Sequence, residues 1–324
     1  MDIRTGILNI IVAAILIAAL GTQGCSADIP SAVDTPLQSD IQKVGVLMDP
    51  AINEASGMAR SNVSNDLLWI VNDSGDQPVL YAVGTDGGAR GRVALRDADN
   101  QDWEDLAGFR LGSMSYLLVA DVGDNQARRP HLFIYILKEP QAEGGLLAKN
   151  SQANWVQKIQ FTYEDGPRDC EAVAVDTAAQ KILLLTKRDR PPRLYQLPLD
   201  LSDRTPELVA RYLSNIETIP PPTAADTRED PRFGRLRSQP TAMDISTDGR
   251  MAVIQTYKHA YLYRKTPYED WPQAFAARPV LLLVPRMPQT EAVSFDLDQK
   301  SIFVTTEQRP ASLYRIQIQS GVEL

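Results

Sequence analysis

The chain has 324 residues, 44% hydrophobic and 23% charged, enough apolar material for a globular core and far from a disordered or collagen-like composition. A formal net charge of −8 with no basic run argues against nucleic-acid binding and fits cation binding or plain solubility. The chain has two histidines, His131 and His259, so a multi-histidine zinc site is excluded.

Residues 1–24 read as a signal peptide. The apolar run "ILNIIVAAILIAAL" is too short for a comfortable membrane-spanning helix and fits a signal core. "GTQGC" follows and resembles a bacterial lipoprotein processing site, with Thr22 where Leu is usual. Processing there makes Cys25 the lipidated first residue, and Ser26 after it resembles an outer-membrane sorting signal. Cleavage after Ala27 is the alternative. Lipidation leaves Cys170 without a disulfide partner, so it reads as a small core residue. Residues 25–41, polar with two prolines among them, read as a tether to a domain spanning 42–324. The expected location is the cell envelope, lipid-anchored on the outer-membrane or periplasmic side, or secreted to the periplasm.

Five segments repeat along that domain: "EASGMA" from Glu54, "EDLAGF" from Glu104, "EAVAVD" from Glu171, "TAMDIS" from Thr241 and "EAVSFD" from Glu291. Each is followed by a continuous apolar run, "LLWIVND", "YLLVADV", "ILLLTKR", "MAVIQTY" and "IFVTTEQ", as expected of strands covered on both faces. A Leu-aromatic pair comes next in every unit: Leu80-Tyr81, Leu132-Phe133, Leu194-Tyr195, Leu262-Tyr263 and Leu313-Tyr314. Four units carry a fourth apolar segment. Four-stranded units repeating every ~50–70 residues predict an all-β chain, a β-propeller of five four-stranded blades, six being the alternative. The short last unit is completed by "QKVGVLMD" from before the first, which closes the ring and removes open strand edges. Residues 220–240, rich in proline, read as a loop over one face rather than a blade.

In a propeller the start of each first strand and the end of each second strand meet at one mouth. This predicts a funnel holding Glu54, Glu104, Glu171, Thr241 and Glu291 together with Asp73, Asp76, Asp121, Asp124, Lys187, Arg188, Lys258, His259, Glu307 and Arg309. The repeated acids have two readings. As structural groups they accept backbone N–H bonds and knit blades together. As ligands, the acids concentrated in the first two units, with Asp102 among them, offer hard oxygen donors in Gly-containing turns that suit Ca2+ or Mg2+. The candidate metal set is Glu54, Asp73, Asp102, Glu104, Asp121, Asp124, Glu171 and Glu291. Lys187, Arg188, Lys258 and His259 form an anion-friendly side, and His131, beside an apolar strand, reads as structural. No P-loop, dinucleotide fingerprint or GxSxG stretch is present.

"NEASGMARS", "LLWIVNDSGDQPVLYAVGTDG", "DWEDLAGF" and "LLVADVGDNQARR" together resemble bacterial envelope β-propellers of the phytase-like, esterase-like type. The resemblance covers roughly residues 54–129, and the remaining units by pattern. It implies a propeller, and with it a calcium-dependent phosphoesterase or esterase acting through a metal-activated water, with Glu104 and Asp121 near the metal and Lys187, Lys258 and His259 near the substrate. The alternative is a non-catalytic propeller that binds a small molecule, glycan or protein at its funnel. Either is expected to be a monomer touching the membrane through its lipid alone.

Overall fold

A computed structural model describes residues 40–318; the signal peptide, Cys25 and the tether up to residue 39 lie outside them. The predicted runs fold as strands in the predicted order. β1 (Ile41–Val46) precedes a first sheet of β2 (Ala55–Arg60), β3 (Leu67–Asn72), β4 (Val79–Gly84) and β5 (Ala89–Arg96). The second sheet holds β6 (Trp103–Leu111), β7 (Met114–Asp121), β8 (Leu132–Lys138) and β9 (Ser151–Tyr163). The third holds β10 (Cys170–Asp176), β11 (Lys181–Thr186), β12 (Arg193–Pro198) and β13 (Glu207–Asn215). The fourth holds β14 (Pro240–Ile245), β15 (Met251–Thr256), β16 (His259–Arg264) and β17 (Val280–Leu283). The last holds β18 (Thr290–Phe295), β19 (Ser301–Thr306) and β20 (Ser312–Gln317), and β1 pairs antiparallel with β20 as its outer strand.

Burial explains the sequence pattern. β2, β3, β10, β15, β18 and β19 are buried at every position, so they read mainly as apolar and small residues, with few polar side chains among them. The outer strands β5, β9 and β13 carry exposed or half-buried positions between buried ones. The Leu of every Leu-aromatic pair is buried. Five apolar clusters lie between successive sheets; one joins Phe109 and Ile134 of the second sheet to Val173 and Leu184 of the third. The first strands touch in the cycle β2–β6–β10–β14–β18–β2. The long β9 also pairs in parallel with β5 and with β13, joining three sheets along their outer edges.

The five first strands share a β-bulge against their second strands. Register shifts fall between Ala55 and Gly57, Trp103 and Asp105, Cys170 and Ala172, Pro240 and Ala242, and Thr290 and Ala292. The bulged residues are thus Ser56, Glu104, Glu171, Thr241 and Glu291. This corrects the sequence alignment by two residues in the first unit: Ser56, not Glu54, is the counterpart of Glu104. Glu54 corresponds instead to Asp102 and Asp169. A bulge is a property of two paired strands, and it re-aims the extra side chain.

Residues 220–239 form no strand, and Pro240 opens β14. They contain the short helix α1 (Ala224–Glu229), capped by Thr223, whose hydroxyl accepts from Asp226 N while the Asp226 side chain accepts from Thr223 N. A second short helix, α2 (Trp271–Ala276), was not legible in the sequence, being too brief for a helical period. Its buried Trp271 donates to Asp176 Oδ2 of β10 at 2.8 Å.

Candidate metal centre

The bulge brings carboxylates from different sheets together. Ligand atoms of Asp73, Asp102 and Glu104 lie within 4.8 Å of one another, and so do those of Glu104, Asp169 and Glu171. Glu104 belongs to both groups. The bulge aims Glu104 and Glu171, and the residues two before them, Asp102 and Asp169, stand beside them. Asp73 enters from the end of β3, where its N–H donates to Glu54 O at 2.9 Å. The same backbone bond recurs from Val122 to Asp102, Lys187 to Asp169 and Glu307 to Gln289, so Asp73, Val122, Lys187 and Glu307 are counterparts.

Gly123 permits the convergence. A Cβ there would stand 2.3 Å from Glu104 Oε1 and 2.4 Å from Asp102 Oδ2. If the group holds a cation, Gly123→Ala is therefore expected to push both carboxylates aside and weaken its binding about tenfold in calorimetry, with little change in melting temperature. Unchanged affinity would mean these two groups do not bind the ion together.

Lys187 is the buried cation among the acids. It pairs with Glu171 and lies 5.1 Å over the Tyr257 ring. Burial pulls its ammonium down, but Glu171, Tyr257, Glu291 and Glu104 more than reverse this and hold it charged. Tyr257 donates to Glu291 Oε1 at 2.9 Å. The acids outnumber this cation. Burial, then repulsion from Asp73, pushes Asp102 up to about 7 despite Arg129. Burial, then Glu171 and Asp73, lifts Glu104 well above the usual carboxylate range. Burial lifts Glu171 likewise, with Lys187 opposing. Burial raises Glu291 to about 8, and burial with Asp73 and Glu54 raises Glu307 to about 7.

These groups hold protons in the folded chain that the unfolded chain has already released. Between about pH 4 and pH 8 the native state binds more protons, so stability falls as pH rises. In chelator, scanning calorimetry is expected to show a melting temperature that climbs steadily as pH is lowered from about 8 to about 5.5. A flat profile would show that the acids are already neutralised within the fold.

Not every predicted residue joins the cluster. Asp121 occupies the last position of β7, where its counterparts are Asn72, Thr186, Thr256 and Thr306. Strand alternation turns it away, and Arg129 pairs with it at 2.8 Å. Asp124 accepts from Arg128 N and Arg129 N, each at 2.8 Å, and so caps a turn. Asp76 accepts from Asn72 and from the Tyr81 hydroxyl. Glu54 is exposed, and Glu291 lies outside both carboxylate groups. Lys258 pairs with Asp226 of α1 at 2.7 Å. Burial raises the Asp226 carboxyl, but Lys258, Thr223 and Arg237 outweigh it and hold it well below the usual range. His259 is pushed down to about 4 by burial and then by Lys258, so it is neutral near pH 7. Cys170 is buried, and burial lifts its thiol to about 12.

Sequence reading missed Asp169, Gly123 and Tyr257. The signal for Asp169 was available: "DWE" and "DCE" share an Asp-x-Glu spacing, at Asp102-Glu104 and Asp169-Glu171.

No protein-family model matches the chain, and no curated protein matches it. Among solved structures it is similar to the major allergen Mala s 1 of Malassezia sympodialis, at 10% identity and a TM-score of 0.51, over 84% of this chain and 96% of that one. A luciferin-regenerating enzyme aligns at 11% identity and a TM-score of 0.45, over 88% of this chain and 97% of that one. The likeness to Mala s 1 shows a shared β-propeller-like fold. Among the described residues no helix is long and apolar enough to cross a membrane.

Proposed function

We propose that this chain is a calcium-binding β-propeller of the bacterial cell envelope, anchored through Cys25, that hydrolyses a phosphoester or ester at its funnel. Five blades, with β1 completing the last, account for the five clusters and the cycle of first-strand contacts. The observation that carries the cation reading is the convergence of two carboxylate triads, Asp73, Asp102 and Glu104, and Glu104, Asp169 and Glu171, each within ligand distance and joined through Glu104. The donor set is all oxygen, as Ca2+ prefers, and Gly123 leaves the space the carboxylates need. Bound there, Ca2+ would neutralise the acids, orient an anionic substrate and make a water easier to deprotonate. Lys187 holds Glu171 in place at the edge of the group, and Tyr257 fixes Glu291.

One observation favours a second reading, a binding protein without catalysis. Lys187 and Lys258, the expected partners of substrate charge, are already paired with Glu171 and Asp226.

The test is calcium titration of the full chain by calorimetry, with p-nitrophenyl phosphate and p-nitrophenyl acetate assayed with and without calcium. Saturable binding with calcium-dependent turnover supports the first reading. Binding without turnover supports the second. Absence of binding removes both in their cation-dependent form and leaves the acids as structural groups.

A further inference from the structure

Beside the carboxylates lies a cavity of about 290 Å³, roofed by the 220–240 insertion. Its size is close to the lower end of the range for small-ligand sites, about 300–1,000 Å³. Pro191, Pro192, Ile219, Pro220, Pro221 and Pro222 give it flat apolar walls. Lys187 also lines it but has its charge taken by Glu171, and Asp189 is held by Arg168 at 2.9 Å.

Arg190, Arg235 and Glu217 complete the charges. None of the three is in an ion pair among the described residues. Arg190 Nη2 donates to Arg235 O at 2.8 Å, and Glu217 accepts from Asn215. Two guanidiniums against one carboxylate leave one positive charge in excess. A single negative charge is matched there, and a second would meet Glu217.

Gln239 adds a specific polar group. It is 7% exposed, lines the cavity, and its side-chain oxygen Oε1 has no hydrogen-bond partner. A buried acceptor left unpaired is unfavourable, and a ligand donor would relieve it. Gln239 stands two residues before the bulged Thr241, the position held by Asp102 and Asp169 in their sheets. The fourth sheet thus presents a neutral acceptor where the second and third present carboxylates.

We infer that this cavity binds a small monoanionic aromatic ligand, its ring against the prolines, its anionic group at Arg190 and Arg235, and an N–H or O–H donating to Gln239 Oε1. The pocket requires no cation, so it stands or falls separately from the carboxylate centre.

The probe is 1-anilinonaphthalene-8-sulfonate, which carries an aromatic body, one sulfonate and one N–H. It is titrated into the full chain in EDTA, followed by fluorescence and by calorimetric stoichiometry. One saturable site is expected. Arg235→Glu, at an exposed position, is expected to weaken it at least tenfold, and Ile219→Trp, which fills the cavity, to remove it. Arg250→Glu, an exposed residue in the turn between β14 and β15, is expected to leave it unchanged. Equal binding by Arg235→Glu and Arg250→Glu, or the lack of a saturable site in the unmodified chain, would overturn the inference. Arg235→Glu keeps the test decisive if Ile219→Trp does not fold.

Discussion

Glu104→Gln is expected to weaken calcium binding at least 100-fold in calorimetry while leaving the chain folded and, in chelator, more stable by a few degrees. Glu104 is the one carboxylate shared by both groups of converging acids, so its loss breaks both. It is also buried, at 5% exposure, and repelled by Glu171, Asp73 and Asp102. An amide of the same shape keeps the packing and removes the charge that has to be neutralised there. Without the ion the substitution therefore relieves repulsion; with it, a central ligand is gone. Glu291→Gln is the internal control, because Glu291 lies outside both groups and is already bonded to Tyr257. Affinity within threefold of the unmodified chain for Glu104→Gln would remove the metal reading.

The second large effect is on stability. Asp105→Ala is expected to cost about 4 kcal/mol or more, since it leaves three buried N–H groups unpaired at ~1–3 kcal/mol each. Asp105 is fully buried on β6. Its Oδ2 accepts from Val173 N of β10 at 2.7 Å and Met243 N of β14 at 3.2 Å, and its Oδ1 from Leu106 N at 2.8 Å. One side chain thereby ties three sheets together. Burial raises its carboxyl, and these three N–H groups pull the other way. The other four sheets keep the position small, with Gly57, Ala172, Ala242 and Ala292. At Gly57 a Cβ would come within 2.7 Å of the Asp105 backbone. Asp105→Asn should fall between the two, because its amide N–H would face other donors. A loss under about 1.5 kcal/mol for Asp105→Ala in urea denaturation would show that the backbone groups find other partners.

The strand repeat was legible because the inner strands are buried on both faces and are dominated by apolar and small residues, with acids at recurring positions. The Leu-aromatic pairs marked the third strands for the same reason. The bulge was not legible. It depends on how two strands pair, so Glu54 was aligned with Glu104 when its true counterparts are Asp102 and Asp169. Asp121 failed similarly: the apolar run ends at the right place, but alternation puts Val122, not Asp121, in the line of Asp73 and Lys187. The partner of Lys258 was hidden because Asp226 lies in an insertion whose path no strand pattern specifies. Nothing in "DWEDLAGF" sets Asp105 apart from the acids around it, yet it is the group that knits sheets through backbone N–H bonds.

The pairing of β9 with both β5 and β13 has a consequence for how the molecule opens. Backbone hydrogen bonds run continuously through the first three sheets. The β14–β17 sheet, among the described residues, has no backbone bond to any neighbouring sheet and is tied by side chains such as Asp105, Thr241, Asp244 and Trp271. Sub-global unfolding follows the weakest seam. The β14–β17 sheet is therefore expected to detach first, with its amides exchanging with deuterium ahead of those in β3, β7 and β11. The 220–240 insertion enters this sheet, with Asp226 bound to Lys258 across the join. A ligand held under that insertion would act as a latch on the β14–β17 sheet.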